Sequence, residues 1–290
     1  RRVLFRSLRN NTIGCRNVAI GDRSLCCNTT GVQNIGVGAY TLFSNTIGIA
    51  NTALGHSALF GNTTGVRNIA VGQSALECNV VGSNNIGIGY QALFANTASN
   101  NTAIGFLASK CNTTGTFNTA VGYKAFSNNT VGTRNVAIGQ TALFQNISGD
   151  RNVAVGHSAL EGNTIGTDNT AVGHYAAICN TTAINNIAVG KNASFCNTTG
   201  CSNIAIGVAA LFCNTANNNT AVGYQSMYYN TIGINNTAIG HGSLAANTTG
   251  VRNTAIGSIA LTANTTGIEN TRSEEHTSEL QSHSFISYAV

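Results

Sequence analysis

Asn17-Val-Ala-Ile-Gly21 is followed seventeen residues later by Asn34-Ile-Gly-Val-Gly38, and again by Asn51-Thr-Ala-Leu-Gly55. The same signature opens at Asn68, Asn85, Asn101, Asn118, Asn135, Asn152, Asn169, Asn186, Asn203, Asn219, Asn236 and Asn253, with a broken copy at Asn270. Fifteen full copies result, thirteen of 17 residues and two of 16. Self-similarity at a short fixed period means a one-dimensional stack in which each unit touches its neighbours, in place of a pocketed globular domain.

Counting each unit from its first Asn gives every column a meaning. Position 2 is always Val, Ile or Thr, position 4 is Ile or Val except at Leu54, and position 3 is only Ala or Gly. This alternation reads as a short strand, with β-branched residues on a packed face and the smallest residues on a closely approached one. Position 5 is Gly in every copy: Gly21, Gly38, Gly55, Gly72, Gly89, Gly105, Gly122, Gly139, Gly156, Gly173, Gly190, Gly207, Gly223, Gly240 and Gly257. Such a column implies a turn with positive φ or a tight backbone approach. Position 8 is small, and position 9 is usually Leu (Leu25, Leu42, Leu59, Leu76, Leu93), with Phe126 and Met227 as variants, so it reads as a second inward column.

Position 12 is again Asn, usually followed by Thr and closed by Gly at position 15, which is turn chemistry. The Ala-Leu stretch between Gly and Asn is too short for a stable helix and reads as extended or irregular. Two strand-like pieces and two corners per unit describe one coil of a narrow parallel β-solenoid. The expected fold class is therefore all-β and repetitive, its fifteen coils at ~4.8 Å making a rod of ~70 Å. The two Asn columns admit two readings: amide ladders running from coil to coil, or caps each serving its own turn. Asn28-Thr-Thr and Asn62-Thr-Thr resemble glycosylation sequons, but the repeat itself accounts for them. The one-residue breaks after Ala98 and Ala216, and Ala183 in place of the position 15 Gly, read as corner variations within a single repeat domain, 8–271.

The two ends do not obey the repeat. Arg272-Ser-Glu-Glu-His-Thr-Ser-Glu-Leu-Gln-Ser282 and Ile286-Ser-Tyr-Ala-Val290 can be back-translated into a short-read sequencing adapter, and Arg1-Arg-Val-Leu-Phe-Arg-Ser7 into the same adapter on the opposite strand. Residues 1–7 and 272–290 are accordingly read as adapter-derived, the latter as a disordered tail, and the rest as an internal piece of a longer protein. Between 8 and 271, ten Lys or Arg stand against six Asp or Glu, a net +4 spread along a rod. That is too dilute for a nucleic-acid footprint. Periodic Gly that does not fall every third residue excludes collagen, frequent β-branched residues argue against disorder, and no apolar run approaches the ~20 residues of a membrane span.

The Asn-x-Ala-x-Gly segments, for example Asn68 to Gly72 and Asn135 to Gly139, resemble the head repeats of YadA-like trimeric autotransporter adhesins, and related repeats of phage tail fibres. The resemblance covers 8–271, although the family's head period is nearer 14 residues, and no stalk, anchor or chaperone domain is visible. It implies a left-handed parallel β-roll, a homotrimer, and a place on a bacterial cell surface or in a phage virion, with a host-surface or matrix ligand.

Chemistry is sparse along the repeat. The acids Asp22, Asp150, Asp168, Glu77, Glu161 and Glu269 fall at turn or variable positions, and His56, His157, His174 and His241 share position 6. Cys27, Cys78, Cys111, Cys179, Cys196 and Cys213 share position 11, a spacing that fits no zinc motif and reads as reduced thiols in a small-residue column. No enzyme activity, cofactor or metal is expected. Tyr90, Tyr123 and Tyr224 at position 6 are candidate surface contacts. Each slim coil offers only about three sizeable apolar side chains, so packing of copies against one another, through the small position 3 column, is expected. The rival function from another class is ice binding by ranked Thr, weakened by the aliphatic position 4.

Overall fold

A computed structural model describes residues 6–273. Sixteen strands of three residues, from β1 (Val18–Ile20) and β2 (Ile35–Val37) to β15 (Thr254–Ile256) and β16 (Thr271–Ser273), pair in strict sequence order into one parallel sheet. Like positions face like positions: Val18 pairs with Ile35, Ala19 with Gly36 and Ile20 with Val37. The two 16-residue units keep this register, Ile86 meeting Thr102 and Ile204 meeting Thr220. The chain is thus a β-solenoid of about fifteen coils, one per repeat. Arg272 and Ser273, assigned on sequence to the adapter-like tail, pair with Ala255 and Ile256. Apart from them and residues 6–7, the adapter-like ends (1–5 and 274–290) lie outside the described residues.

Only one strand forms per coil, which corrects the expectation of two. Positions 6–11 run instead as consecutive turns. In the coil that starts at Asn135, the amides of Ala142, Phe144 and Asn146 donate to the carbonyls three residues back, at 3.2–3.4 Å. Positions 7, 9 and 17 are held at positive φ, as at Thr141 (51°), Leu143 (51°) and Arg151 (53°), and position 5 is a positive-φ Gly. Each of these four amides is donated along the stack. Gly139 and Thr141 reach back to Val121 and Tyr123 at 2.8 and 3.0 Å, Leu143 reaches forward to Ala159 at 3.0 Å, and Arg151 reaches back to Thr133 at 3.0 Å. The left-handed turns cost about 1–2 kcal/mol per non-Gly residue. They persist because they aim N–H groups at neighbouring coils, so the ladder continues around the perimeter where no strand exists.

The sidedness of the strand also differs from the sequence reading. Position 3 faces inward: from Ala53 through Ala255, its alanines are fully buried. Positions 2 and 4 face out, with Ile20 59% and Ile256 46% exposed. The coil is too thin for the opposite arrangement. The interior is already filled from the far wall by position 8 and by the buried Leu column at position 9. A Cβ added at Gly87 would sit 3.1 Å from the Leu76 side chain, and one added at Gly36 would sit 2.5 Å from Ser24 Oγ. The small column is therefore the inner lining of one chain and is closed to contact between copies. Within the Leu column, the buried Phe126 follows the short Ser109 of the preceding coil, so the volume is kept over two layers.

Position 5 is confined to Gly for two reasons at once. Gly156 has φ +137°, and a Cβ there would sit 2.5 Å from the Gly173 carbonyl oxygen of the next coil. Gly156→Ala is expected to destabilise the rod by about 3 kcal/mol or more. Ala95→Gly, at a position 11 where Gly61 stands in another coil, should cost no more than about 1 kcal/mol. Urea unfolding of the two variants checks the contrast.

Candidate functional site

The most regular feature of the interior is amide chemistry. Asn side chains of both columns are buried from Asn28 to Asn253, and in most coils each does two jobs. In the first column, Asn152 Nδ2 donates across its own coil to the Gly166 carbonyl at 2.8 Å. Its Oδ1 accepts the backbone N–H of Asn169 in the next coil at 3.0 Å. In the second column, Asn163 Nδ2 donates to the same Gly166 carbonyl at 3.1 Å and to Asn146 Oδ1 of the preceding coil at 2.8 Å. Capping of the coil's own corner and laddering between coils, the two alternatives read from the sequence, are carried by the same residues. The sequon Asn28 and Asn62 side chains are fully buried in this network.

The corner carbonyl is the point on which both columns converge. Gly suits it because a Cβ at Gly132 would lie 2.5 Å from Asn129 Oδ1 and from the Gly149 oxygen. Ala98, Ala183 and Ala216 nonetheless serve, accepting from Asn85, Asn169 and Asn203 at 2.7–2.8 Å. The shortened units drop one corner residue and keep the carbonyl. Around Ala183 the second ladder lapses: Asn197 Nδ2 bonds only the Gly200 carbonyl, and Asn180 Oδ1 has no partner. The Leu column is thin there too, with Ala177 and Ser194 in its place.

Outside, a second line of hydroxyls reinforces the corner. Thr164 Oγ1 donates to the Thr181 carbonyl of the next coil at 3.0 Å, and this recurs along position 13. Position 6 forms aromatic stacks. Tyr90, Phe106 and Tyr123 lie face to face with centroids 5.2 and 5.5 Å apart, and Tyr224 stacks on His241 at 5.4 Å. The candidate contacts Tyr90, Tyr123 and Tyr224 are 40–49% exposed. The faces turned toward the stacking partner are covered, which leaves edges and hydroxyls for contact. A second aromatic column, absent from the sequence reading, runs at position 10 through Phe195, Phe212 and Tyr228. Aromatic residues at 17- or 16-residue spacing were its signal.

Titratable groups pair along the rod. His157 and His174 stack at 5.0 Å, with Tyr175 against both rings. Arg151 holds Asp168 through two hydrogen bonds of 2.6 and 2.8 Å, which keep that carboxyl below the usual carboxylate range. Burial pushes the thiols of Cys78, Cys179, Cys196 and Cys213 up. Among the described residues, no three of His, Cys, Asp or Glu gather as a metal site, and no helix is long and apolar enough to cross a membrane. No protein-family model, curated protein or solved structure matches the chain.

The amide network generates a direct test. Asn152→Leu keeps the branched shape, with bulkier methyl groups, and orphans the Asn169 amide, at an expected cost of about 2–4 kcal/mol. Asn128→Leu, on an exposed position 11, should change stability by less than about 0.5 kcal/mol. Urea midpoints of the two variants separate buried amide bonding from mere Asn content.

Proposed function

We propose that this chain is a non-enzymatic structural rod of a bacterial surface adhesin or a phage tail fibre. It acts as a spacer and as a repetitive contact surface. The observation that carries this reading is the outward face of positions 2 and 4. Two columns of Ile, Val, Leu and Thr run the length of one parallel sheet, exposed at Ile35, Leu54, Ile104, Ile138, Ile206 and Ile256. Strands about 10 Å wide, repeated over a rod of about 70 Å, make a strip on the order of 700 Å². That exceeds the largest apolar patch of a typical monomer and approaches the ~800 Å² that each partner contributes to a standard interface. Self-association through this strip is the proposed partner contact, three rods around one axis being the arrangement that the repeat resemblance implies. Stacked position 6 edges repeated along such an assembly would give avidity from weak single contacts.

Sedimentation velocity is the test. A species near three times 29.8 kDa is expected, and Ile104→Lys with Ile138→Lys and Ile206→Lys should release folded monomers. A stable folded monomer of the unmodified chain overturns the reading.

One observation favours a second reading. Thr52, Thr102, Thr119, Thr170, Thr220, Thr237 and Thr254 all lie in the outward position 2 column of the parallel sheet, the side from which ranked Thr could meet an ice lattice. The aliphatic position 4 column counts against it. Thermal hysteresis in freezing solutions of the purified chain is the expected signature of this second reading, and a freezing point equal to the melting point sinks it.

A further inference from the structure

Position 11 is cysteine in three consecutive coils, at Cys179, Cys196 and Cys213. Their backbones stand in the coil-to-coil ladder: Cys179 donates to the Phe195 carbonyl at 3.3 Å, Cys196 to Phe212 at 2.9 Å and Cys213 to Tyr228 at 3.1 Å. All three thiols are free and partly accessible. The stacked rings of Phe195, Phe212 and Tyr228, with centroids 4.9 Å apart, run in the adjoining column. Each of the other six cysteines lacks an in-register cysteine in an adjacent coil.

The repeat distance decides what such a column can do. In-register residues of a parallel ladder recur at ~4.8 Å. A disulfide needs Cβ atoms about 3.8 Å apart, so joining two coils would require them to close locally by about 1 Å. A zinc ion needs three or four ligands converging on one point, and among the described residues no such group exists. A linear two-coordinate cation needs two sulfurs separated by twice a metal–thiolate bond of ~2.3 Å, about 4.6 Å, close to the coil repeat. Thiolates are the ligands that select soft cations.

We propose that the Cys179–Cys196–Cys213 column binds two soft, linearly coordinated monovalent cations of the Cu(I) or Ag(I) type, with Cys196 bridging them. Three S–H bonds break, three protons leave to solvent, and four sulfur–metal bonds form around two cations. No electron is transferred. Because burial raises all three thiols, each cation must displace protons, and binding weakens as pH falls.

The test uses redox-inert Ag(I) in chloride-free buffer, on the full reduced chain with Cys15, Cys26, Cys27, Cys78, Cys111 and Cys201 replaced by Ser. Calorimetry and mass spectrometry should give two Ag(I) per chain, with three protons released. Cys196→Ser leaves two thiols two coils apart, and affinity should fall at least roughly 100-fold. Position 11 holds Ser44, Gly61 and Ala95 in other coils, so the variant is expected to fold, and circular dichroism verifies it. Three independent ions per chain, an unchanged affinity in Cys196→Ser, or one-for-one displacement of Ag(I) by Zn(II) would overturn the proposal.

Discussion

The structure depends on a buried amide that meets a backbone carbonyl at every corner. A coil of 17 residues encloses little more than alanines, a Leu column and two Asn side chains, so apolar burial cannot hold the corners by itself. The backbone there is not in a strand, and its polar groups still need partners. The position 1 Asn bridges to the corner carbonyl and receives the next coil's amide, while the position 12 Asn joins the same carbonyl to the coil before. In most coils each amide is thereby bonded within its coil and across the stack. Desolvated hydrogen bonds of this kind add little when made and cost much when one partner is lost, which makes the network a device for enforcing register.

Register in turn explains the thinness of the rod and the character of its surface. Because the interior accepts only Ala or Gly from the strand, every larger strand side chain is turned outward. Identical positions then line up as columns over many coils: aliphatic, aromatic, thiol, hydroxyl. A column multiplies a weak property. One exposed Ile is ordinary on a protein surface, whereas a continuous double row is an apolar patch larger than a typical monomer carries. A single thiol is unremarkable, but three at a fixed spacing select among metals by coordination number.

The same logic locates the weakest part of the stack. Near Ala177, Ala183 and Ser194, the Leu column loses its bulk, and the Asn180 and Ser194 side-chain oxygens have no partner. Stability in such an array is the sum of unit and neighbour terms, so local opening is governed by the poorest neighbours.

Much of the architecture was legible in the Asn and Gly columns, because a fixed period forces equivalent residues into equivalent sites. Repeat number, parallel pairing, register through the shortened units and the importance of Asn all follow from that period. The second strand was not legible: Leu25 or Leu143 at positive φ carries no local signal, although Asn84, Asn100 and Asn185 at position 17 did hint at left-handed backbone. Nor was the direction of the strand's faces. Alternation of Ile and Ala says that two faces differ, but which one is interior depends on how far away the opposite wall stands, and that distance is set only when the coil closes. The sequence by itself determined a stack of like coils with like residues in line; the tertiary structure decided what lies inside, because only closure fixes the space available to each side chain.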